Sequence, residues 1–419
     1  MSGTRSLRAN SALAFAGDAA LKLSTLVVVL VGARALTVSE FAVLATALAI
    51  AGILTMALDF GAGTLLTRDG ARSRGDRGAL FAGSLAARAP AFVAVLIVSP
   101  LVGAVVGRPW TALAIAALSV AGAIALTVLG CYRSSQDIRP EALQRLAAGV
   151  TTILCVCAAA LFAPTADAML VALALVAALT IAPLSLRVGT VADLASAAPR
   201  GATLRRAAPI GLLALATVAY YRSGTVALAA LGDDEATAAF GVATGIAFGL
   251  LMLPNAITTA LLPRLAAEDD HGGVVACTRR VLAWTLALAA IVATASAVVI
   301  PSVLPIALGH EYDAARAPFV VLCIGIPLIA ASGVIGTALL SIGRVRVLGL
   351  QVGISLAVNL VCIAILVPLA GAVGAALATL ACEAVGLVVL VHVARAALPG
   401  LVLPARAERS AMAAEAAVP

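Results

Sequence analysis

Ionisable side chains interrupt several long apolar stretches of this sequence. Asp18 and Lys22 lie in the first stretch, residues 10–35, which is otherwise mostly Ala, Leu and Val. Arg88, Arg222 and Glu383 lie in later stretches of the same kind. An apolar helix of roughly 20 residues or more is long enough to cross a bilayer, and a charge at its centre costs roughly 3 kcal/mol on insertion scales. These side chains are therefore expected to face other helices, water or a ligand.

The charges of the first stretch can neutralise each other. Asp18 and Lys22 are four residues apart, so they share one face of a helix and can pair. One interpretation is a buried ion pair that only holds helices together. The other is a polar latch in the wall of a transport cavity. A cleaved signal peptide is disfavoured, because the apolar stretch is too long and contains charges.

The charges within the predicted spans favour an anionic ligand. Lys22, Arg88 and Arg222 outnumber Asp18 and Glu383 by one, and the fork of an arginine matches the oxygens of a phosphate. Asn255 and Asn359 add polar groups at depth. The predicted substrate cavity is therefore lined by Asp18, Lys22, Arg88, Arg222, Asn255, Asn359 and Glu383. Alternatively, each arginine ties two helices together or extends to the membrane surface.

Several kinds of chemistry lack their motifs. Lys22 is the only lysine and no glycine-rich loop precedes it, so the sequence contains no Walker A phosphate loop. The three histidines are far apart and no His/Cys cluster has the spacing of a metal site. His310, Glu311 and Asp313 form a short polar run that is typical of a solvated loop. We therefore predict a protein that is not an enzyme and has no cofactor or metal.

Composition predicts a polytopic membrane protein. Of the 419 residues, 63% are hydrophobic and only 11% are charged, whereas soluble domains are about 45–50% apolar. The seven cysteines fall mostly within apolar stretches and indicate no disulfide framework. The pattern predicts an all-α fold of twelve membrane-spanning helices. The predicted spans are 10–35, 40–66, 79–106, 110–131, 142–163, 168–187, 208–231, 236–262, 280–300, 317–341, 347–368 and 371–394.

The longest connector divides the spans into two groups of six. We expect an N-terminal six-helix bundle over 1–186, a cytoplasmic linker over 187–207, and a C-terminal six-helix bundle over 208–395. Residues 396–419 are expected to form a disordered cytoplasmic tail. Six is an even number, so the two bundles would enter the membrane with the same orientation and be pseudo-symmetric.

Basic residues concentrate in alternate connectors. By count along the chain, 21 of the 27 basic residues lie at the termini, in these connectors or at their span edges, and three lie on the opposite side. The positive-inside rule then places both termini in the cytoplasm of a cell whose inner membrane holds the protein. This distribution also explains the net charge of +7 without a nucleic-acid partner.

Short motifs resemble a known family. They are Asp59-Phe60-Gly61, Phe240-Gly241, Pro254, Pro263-Arg264, Gly309-His310-Glu311-Tyr312-Asp313-Ala314-Ala315, Gly343-Arg344, Asn359, Pro368 and Gly371-Ala372-Val373-Gly374-Ala375-Ala376-Leu377-Ala378-Thr379. Together with the twelve spans they resemble the multidrug/oligosaccharidyl-lipid/polysaccharide exporter superfamily, in its O-antigen flippase and polysaccharide transporter branch. The motif residues look like packing and turn positions, and we do not interpret them as ligands.

The resemblance implies a secondary flippase. Such a protein moves a lipid-linked oligosaccharide or polysaccharide precursor across the inner membrane by alternating access. Its partners would be that glycolipid, membrane lipids and glycan-assembly proteins, and coupling to H⁺ or Na⁺ would act through Asp18 or Glu383. Two alternatives stay open: a cation-coupled multidrug antiporter of the same superfamily, and a membrane scaffold that does not transport.

Overall fold

The described part of the protein is almost entirely α-helical. The computed structural model describes residues 2–72, 77–134, 139–188, 201–252, 254, 257–258, 261, 264–265 and 271–401. In chain order its helices are α1 (Ser2–Ala35), α2 (Val38–Asp59), α3 (Ala62–Arg72), α4 (Arg77–Val105), α5 (Pro109–Ser134), α6 (Arg139–Phe162), α7 (Ala166–Val188), α8 (Gly201–Ala230), α9 (Asp234–Leu250), α10 (His271–Leu308), α11 (Arg316–Ser341) and α12 (Val345–Ala397). A short 3₁₀ helix, His310–Ala315, joins α10 to α11.

Ten of the described helical segments are long and apolar enough to cross a membrane. The other two of the twelve predicted spans correspond to part of α12 and to α9, which is too short to be counted among the ten. Helix α12 is interrupted at Ala370 and Gly371, where a positive φ of 51° at the glycine turns the chain, so its range contains two spans. Helix α9 covers the start of the predicted eighth span, whose later part includes residues outside the described ones. The predicted all-α polytopic fold is thereby confirmed.

The chain forms two compact units. The first consists of Met1–Gly245 and Pro305–Ala315, and the second of Ile246–Leu304 and Arg316–Pro419. Residues Pro305–Ala315 therefore pack in the first unit although their neighbours on both sides belong to the second. The predicted division at residues 187–207 is a different one, and it stays a prediction.

Helix α2 ends earlier than the sequence pattern predicts. The second span was expected to reach residue 66, but α2 ends at Asp59, and Phe60 (φ 45°) and Gly61 (φ 78°) turn the chain into α3. A β-carbon on Gly61 would lie 2.6 Å from the amide nitrogen of Gly211 in α8. The turn therefore needs a glycine for its conformation and for this close approach.

Ion pairs and hydrogen bonds join the helix ends of the first unit. At one end, which we call the Glu40 end, the Glu40 carboxylate binds Arg108 at 2.9 Å and accepts a hydrogen bond from the Ala166 amide at 2.8 Å. Ser39 donates a hydrogen bond to Asp234 there, at 2.6 Å. The connectors before α2, α5, α7 and α9 therefore meet at one end of the unit, as the alternating topology requires.

The opposite end of these helices, the Arg145 end, is held by a chain of charges. Glu141 binds Arg133 at 2.5 Å and Arg145 at 2.6 Å, and Arg145 also pairs with Asp18. Helices α1 and α6 approach closely here, because a β-carbon on Gly149 would meet the backbone of Ala20. The basic residues of this end belong to the connectors that the sequence pattern assigns to the cytoplasm.

Candidate functional site

Arg88 is enclosed in a buried polar network that links α2, α4 and α5. Its Nε donates to the Ser84 carbonyl at 3.0 Å, and one Nη donates to the Thr127 hydroxyl at 2.8 Å and the Ser84 hydroxyl at 3.2 Å. The other Nη lies 3.4 Å from the Leu58 and Asp59 carbonyls and 3.5 Å from the Asp59 carboxylate. All three guanidinium nitrogens are thus used, and the residue is only 3% exposed.

Asp59 completes this network from the end of α2. Its carboxylate also accepts hydrogen bonds from the Gly63 amide at 3.1 Å and the Thr127 hydroxyl at 3.5 Å. The carboxylate therefore neutralises Arg88 and holds the first turn of α3. In this conformation Arg88 ties helices together, which was the alternative weighed against its role as a substrate ligand.

The expected Asp18–Lys22 pair is replaced by a different one. Asp18 pairs with Arg145 on α6, because the two helices are packed closely enough for the arginine to reach across. Lys22 is half-buried and forms no hydrogen bond or ion pair with the described residues. The interhelical partner could not be derived from spacing along one helix.

The predicted excess of buried base is also wrong. Asp59, which also lies within a predicted span, is 5% exposed and faces Arg88, so it balances the one base by which the basic residues exceeded the acidic ones. Glu141, which is 8% exposed, pairs with Arg133 and Arg145, and because all three lie at or beyond the edges of predicted spans, the balance within the spans is unaffected. Within the described residues, ion pairs therefore account for most of the buried charge, and only an unmatched side chain can indicate a ligand.

Arg222 on α8 is such a side chain. It is half-buried, and it forms no hydrogen bond or ion pair within the described part of the chain. Its Nε lies 3.7 Å from the position that a β-carbon would take on Gly52 of α2, so a residue without a side chain faces the guanidinium. Arg222 is eight residues, roughly 12 Å, before the end of α8 at Ala230, which places it well inside the span.

The remaining predicted site residues belong to the second unit. Asn359 is fully buried, and its amide lies 3.8 Å from the Cys382 sulfur. The neighbouring Glu383 is 5% exposed and lines a small cavity with Thr379, Phe248 and Leu322. The cavity is small, with room for about one water molecule. The predicted site residue Asn255 lies outside the described residues.

The fold is that of a known class of membrane transport proteins. The structure is similar to "Lipid II flippase MurJ, inward closed conformation", with a TM-score of 0.68 and 12% identity over 90% of this chain and 86% of that one. It is also similar to the MATE multidrug transporter DinF-BH, with a TM-score of 0.66 and 16% identity over 95% and 96% of the two chains. A mutant of the Vibrio cholerae MATE transporter VcmN gives a TM-score of 0.60 at 16% identity over 94% and 97%.

The sequence itself identifies the family. Residues 7–267, more than half of the chain, match the model of the family described as "Polysaccharide biosynthesis protein". The chain belongs to this family. Comparison with curated proteins gives no significant match. The resemblance found in the sequence motifs is therefore confirmed, both for the superfamily and for its polysaccharide branch.

Proposed function

We propose that the protein is a flippase that moves a lipid-linked oligosaccharide or polysaccharide precursor across the inner membrane by alternating access. Arg222 is the observation on which the proposal rests. A cation that is half-buried at bilayer depth without a described counter-ion is costly unless an anion reaches it. The cargo supplies that anion as the phosphate that joins its glycan to its lipid.

The surroundings of Arg222 suit this cargo. Gly52 offers no side chain that would compete for the guanidinium, so its nitrogens stay available to an incoming group. A guanidinium binds phosphate through two parallel hydrogen bonds, which a lysine cannot do. Membership of the polysaccharide biosynthesis family supports a glycan cargo, and the fold shared with a lipid II flippase supports a lipid-linked one.

The proposed orientation rests on the two ends of the first unit. The Arg145 end holds the basic connectors, so the positive-inside rule favours a cytoplasmic position for it and for both termini. The Glu40 end would then face the outside of the inner membrane. The protein would catalyse no covalent reaction, and the glycan-assembly proteins that make its cargo would be its partners.

Glu383 is the better of the two residues considered for ion coupling. Glu383 is 5% exposed and lines a cavity with room for a water molecule, whereas the side chain of Asp18 is 50% exposed. A buried carboxylate beside water can bind and release a proton or Na⁺ as its surroundings change. We propose Glu383 as the coupling residue.

Flux of a lipid-linked glycan into proteoliposomes tests the role of Arg222. Losing a charge-assisted hydrogen bond of about 1.5–3 kcal/mol should lower transport about 10- to 150-fold in Arg222→Ala. Arg222→Lys keeps the charge but loses the two parallel hydrogen bonds of the guanidinium, so its transport rate should lie between those of the parent and Arg222→Ala. Gly52→Asp places a carboxylate beside the guanidinium and blocks transport without removing the arginine.

The matched control is Arg205→Ala, which removes an exposed arginine from the same helix and should leave flux unchanged. Full transport by Arg222→Ala would refute the assignment. The fold shared with MATE transporters makes a cationic-drug antiporter the second candidate, so a cationic dye is tested in parallel. Dye flux without glycolipid flux would favour the antiporter. If the folded protein transports neither the dye nor the glycolipid, the scaffold is favoured.

A further inference from the structure

Residues Pro305–Ala315 leave the second unit and return to it. Leu304 and Arg316 on either side belong to the second unit, while the segment itself packs in the first. Gly309, with a φ of 99°, turns the chain at the end of α10, and His310 and Asp313 stay at the surface as an exposed pair 3.1 Å apart. The segment is therefore joined at both ends to residues of the second unit, while its own contacts lie within the first.

Tyr312 anchors this segment. It is 1% exposed, and its ring meets the ring of Phe41 edge to face, with 5.8 Å between centroids and 89° between planes. Phe41 belongs to the first turn of α2, so the anchor lies at the Glu40 end. The aromatic contact and the buried area favour this position of Tyr312.

The Tyr312 hydroxyl, in contrast, makes the same buried position of the side chain less favourable. It is buried and has no hydrogen-bond partner among the described residues. Burying a hydroxyl without a partner costs free energy that a solvated hydroxyl does not lose. The side chain therefore has a favourable ring contact and an unfavourable hydroxyl, a combination suited to a contact that must form and break.

The first half of helix α9 packs at the same place in the first unit. Its residues up to Gly245 belong to the first unit and the following ones to the second. A β-carbon on Gly241 would lie 3.4 Å from the Phe41 ring, and one on Gly245 would lie 3.2 Å from the β-carbon of Val29. Phe41 is thus contacted by Tyr312 and is close to α9 through Gly241.

From these contacts we infer that Pro305–Ala315 is a clasp, whose Tyr312 must leave Phe41 before the Glu40 end of the first unit can open. Opening also separates the first half of α9 from α1. The inference rests on the proposed transport function, because only a protein that alternates between states needs to release this contact. Tyr312 is a positioning residue that holds one state and does not bind cargo.

Disulfide trapping tests the clasp without any transport assay. Val29→Cys and Gly245→Cys are introduced into full-length protein whose seven native cysteines are replaced. Their β-carbons would be 3.2 Å apart, close to the roughly 3.5–4.5 Å typical of disulfides. Oxidation should link them when Tyr312 is present. Tyr312→Ala should lower the rate of linking about fivefold or more, while Tyr312→Phe, which loses only the unpartnered hydroxyl, should link at least as fast as the parent.

Two further measurements keep the result decisive. Tyr312→Leu repeats the loss of the aromatic contact with less loss of volume, and size-exclusion chromatography confirms that each variant is folded. Equal linking rates in the parent and in folded Tyr312→Ala and Tyr312→Leu would overturn the clasp. Linking should also stop glycolipid flux, and a reductant should restore it. If linking depends on Tyr312 but no glycolipid flux is found in either redox state, the clasp stands and the proposed function fails.

Discussion

The buried network around Arg88 predicts a large and specific loss of stability in Asp59→Ala. The variant removes the only carboxylate that the described structure places against a guanidinium that is 3% exposed. It also removes the acceptor of the Gly63 amide. Breaking a buried pair from one side costs about 3–5 kcal/mol, because the remaining charge is uncompensated.

The size of this loss can be measured as a change in Tm. A domain of this size changes by about 2–4 °C per kcal/mol, so Asp59→Ala should lower the Tm by about 6–20 °C. The assay is thermal unfolding of purified protein in detergent, monitored by the fraction that stays monodisperse. The double variant Asp59→Ala/Arg88→Met should recover at least half of the loss, since a buried pair is often replaceable by apolar groups.

Two outcomes would refute this reasoning. A fall of less than about 2 °C in Asp59→Ala would show that Arg88 is not left uncompensated in the variant. A double variant no more stable than Asp59→Ala would show that the remaining guanidinium is not the source of the loss, because its neutral partners Ser84 and Thr127 satisfy it. Flux per folded molecule is a separate test. The double variant should keep this flux, whereas it would lose the flux if Arg88 bound the substrate.

Two further predictions concern a turn and the coupling residue. Gly61→Ala should destabilise more than Gly107→Ala: both glycines have positive φ, which costs about 1–2 kcal/mol for alanine, but only the β-carbon at position 61 would collide, with Gly211. Equal changes in Tm would contradict this explanation. Glu383→Gln should make glycolipid flux independent of imposed H⁺ and Na⁺ gradients, while Asp18→Asn should still respond. A gradient response in Glu383→Gln would show that coupling lies elsewhere.

The membrane-spanning pattern was predictable because it depends on local properties. Apolar stretches and alternating basic connectors are recognised residue by residue, and bilayer thickness converts them into helices. The end of α2 was not predicted, because the residues after Asp59 are apolar enough to extend a span. The signal was Phe60-Gly61 directly after an acid, where the glycine allows a turn and the carboxylate can accept from the next helix.

Ion-pair partners were less predictable, because they depend on which helices pack together. Asp18 and Lys22 are neighbours on one helix face, yet Arg145 lies 127 residues away and takes the aspartate. Sequence spacing gives only the pairs within a helix, and it cannot rank them against pairs formed by packing. Asp59 lies inside the predicted second span, but only the packing of α2 against α4 shows that its carboxylate faces Arg88.

Arg88 and Arg222 show how packing gives two arginines of similar sequence context different surroundings. Each was predicted from the same observation, an arginine within an apolar stretch. Packing gives Arg88 a carboxylate and two hydroxyls, and it leaves Gly52 opposite Arg222. A guanidinium whose nitrogens are all occupied has nothing to offer a phosphate, whereas one that faces a glycine keeps its donors. We therefore propose a structural role for Arg88 and a ligand-binding role for Arg222, and this distinction needs the residues opposite each guanidinium, which are known only once the helices are placed.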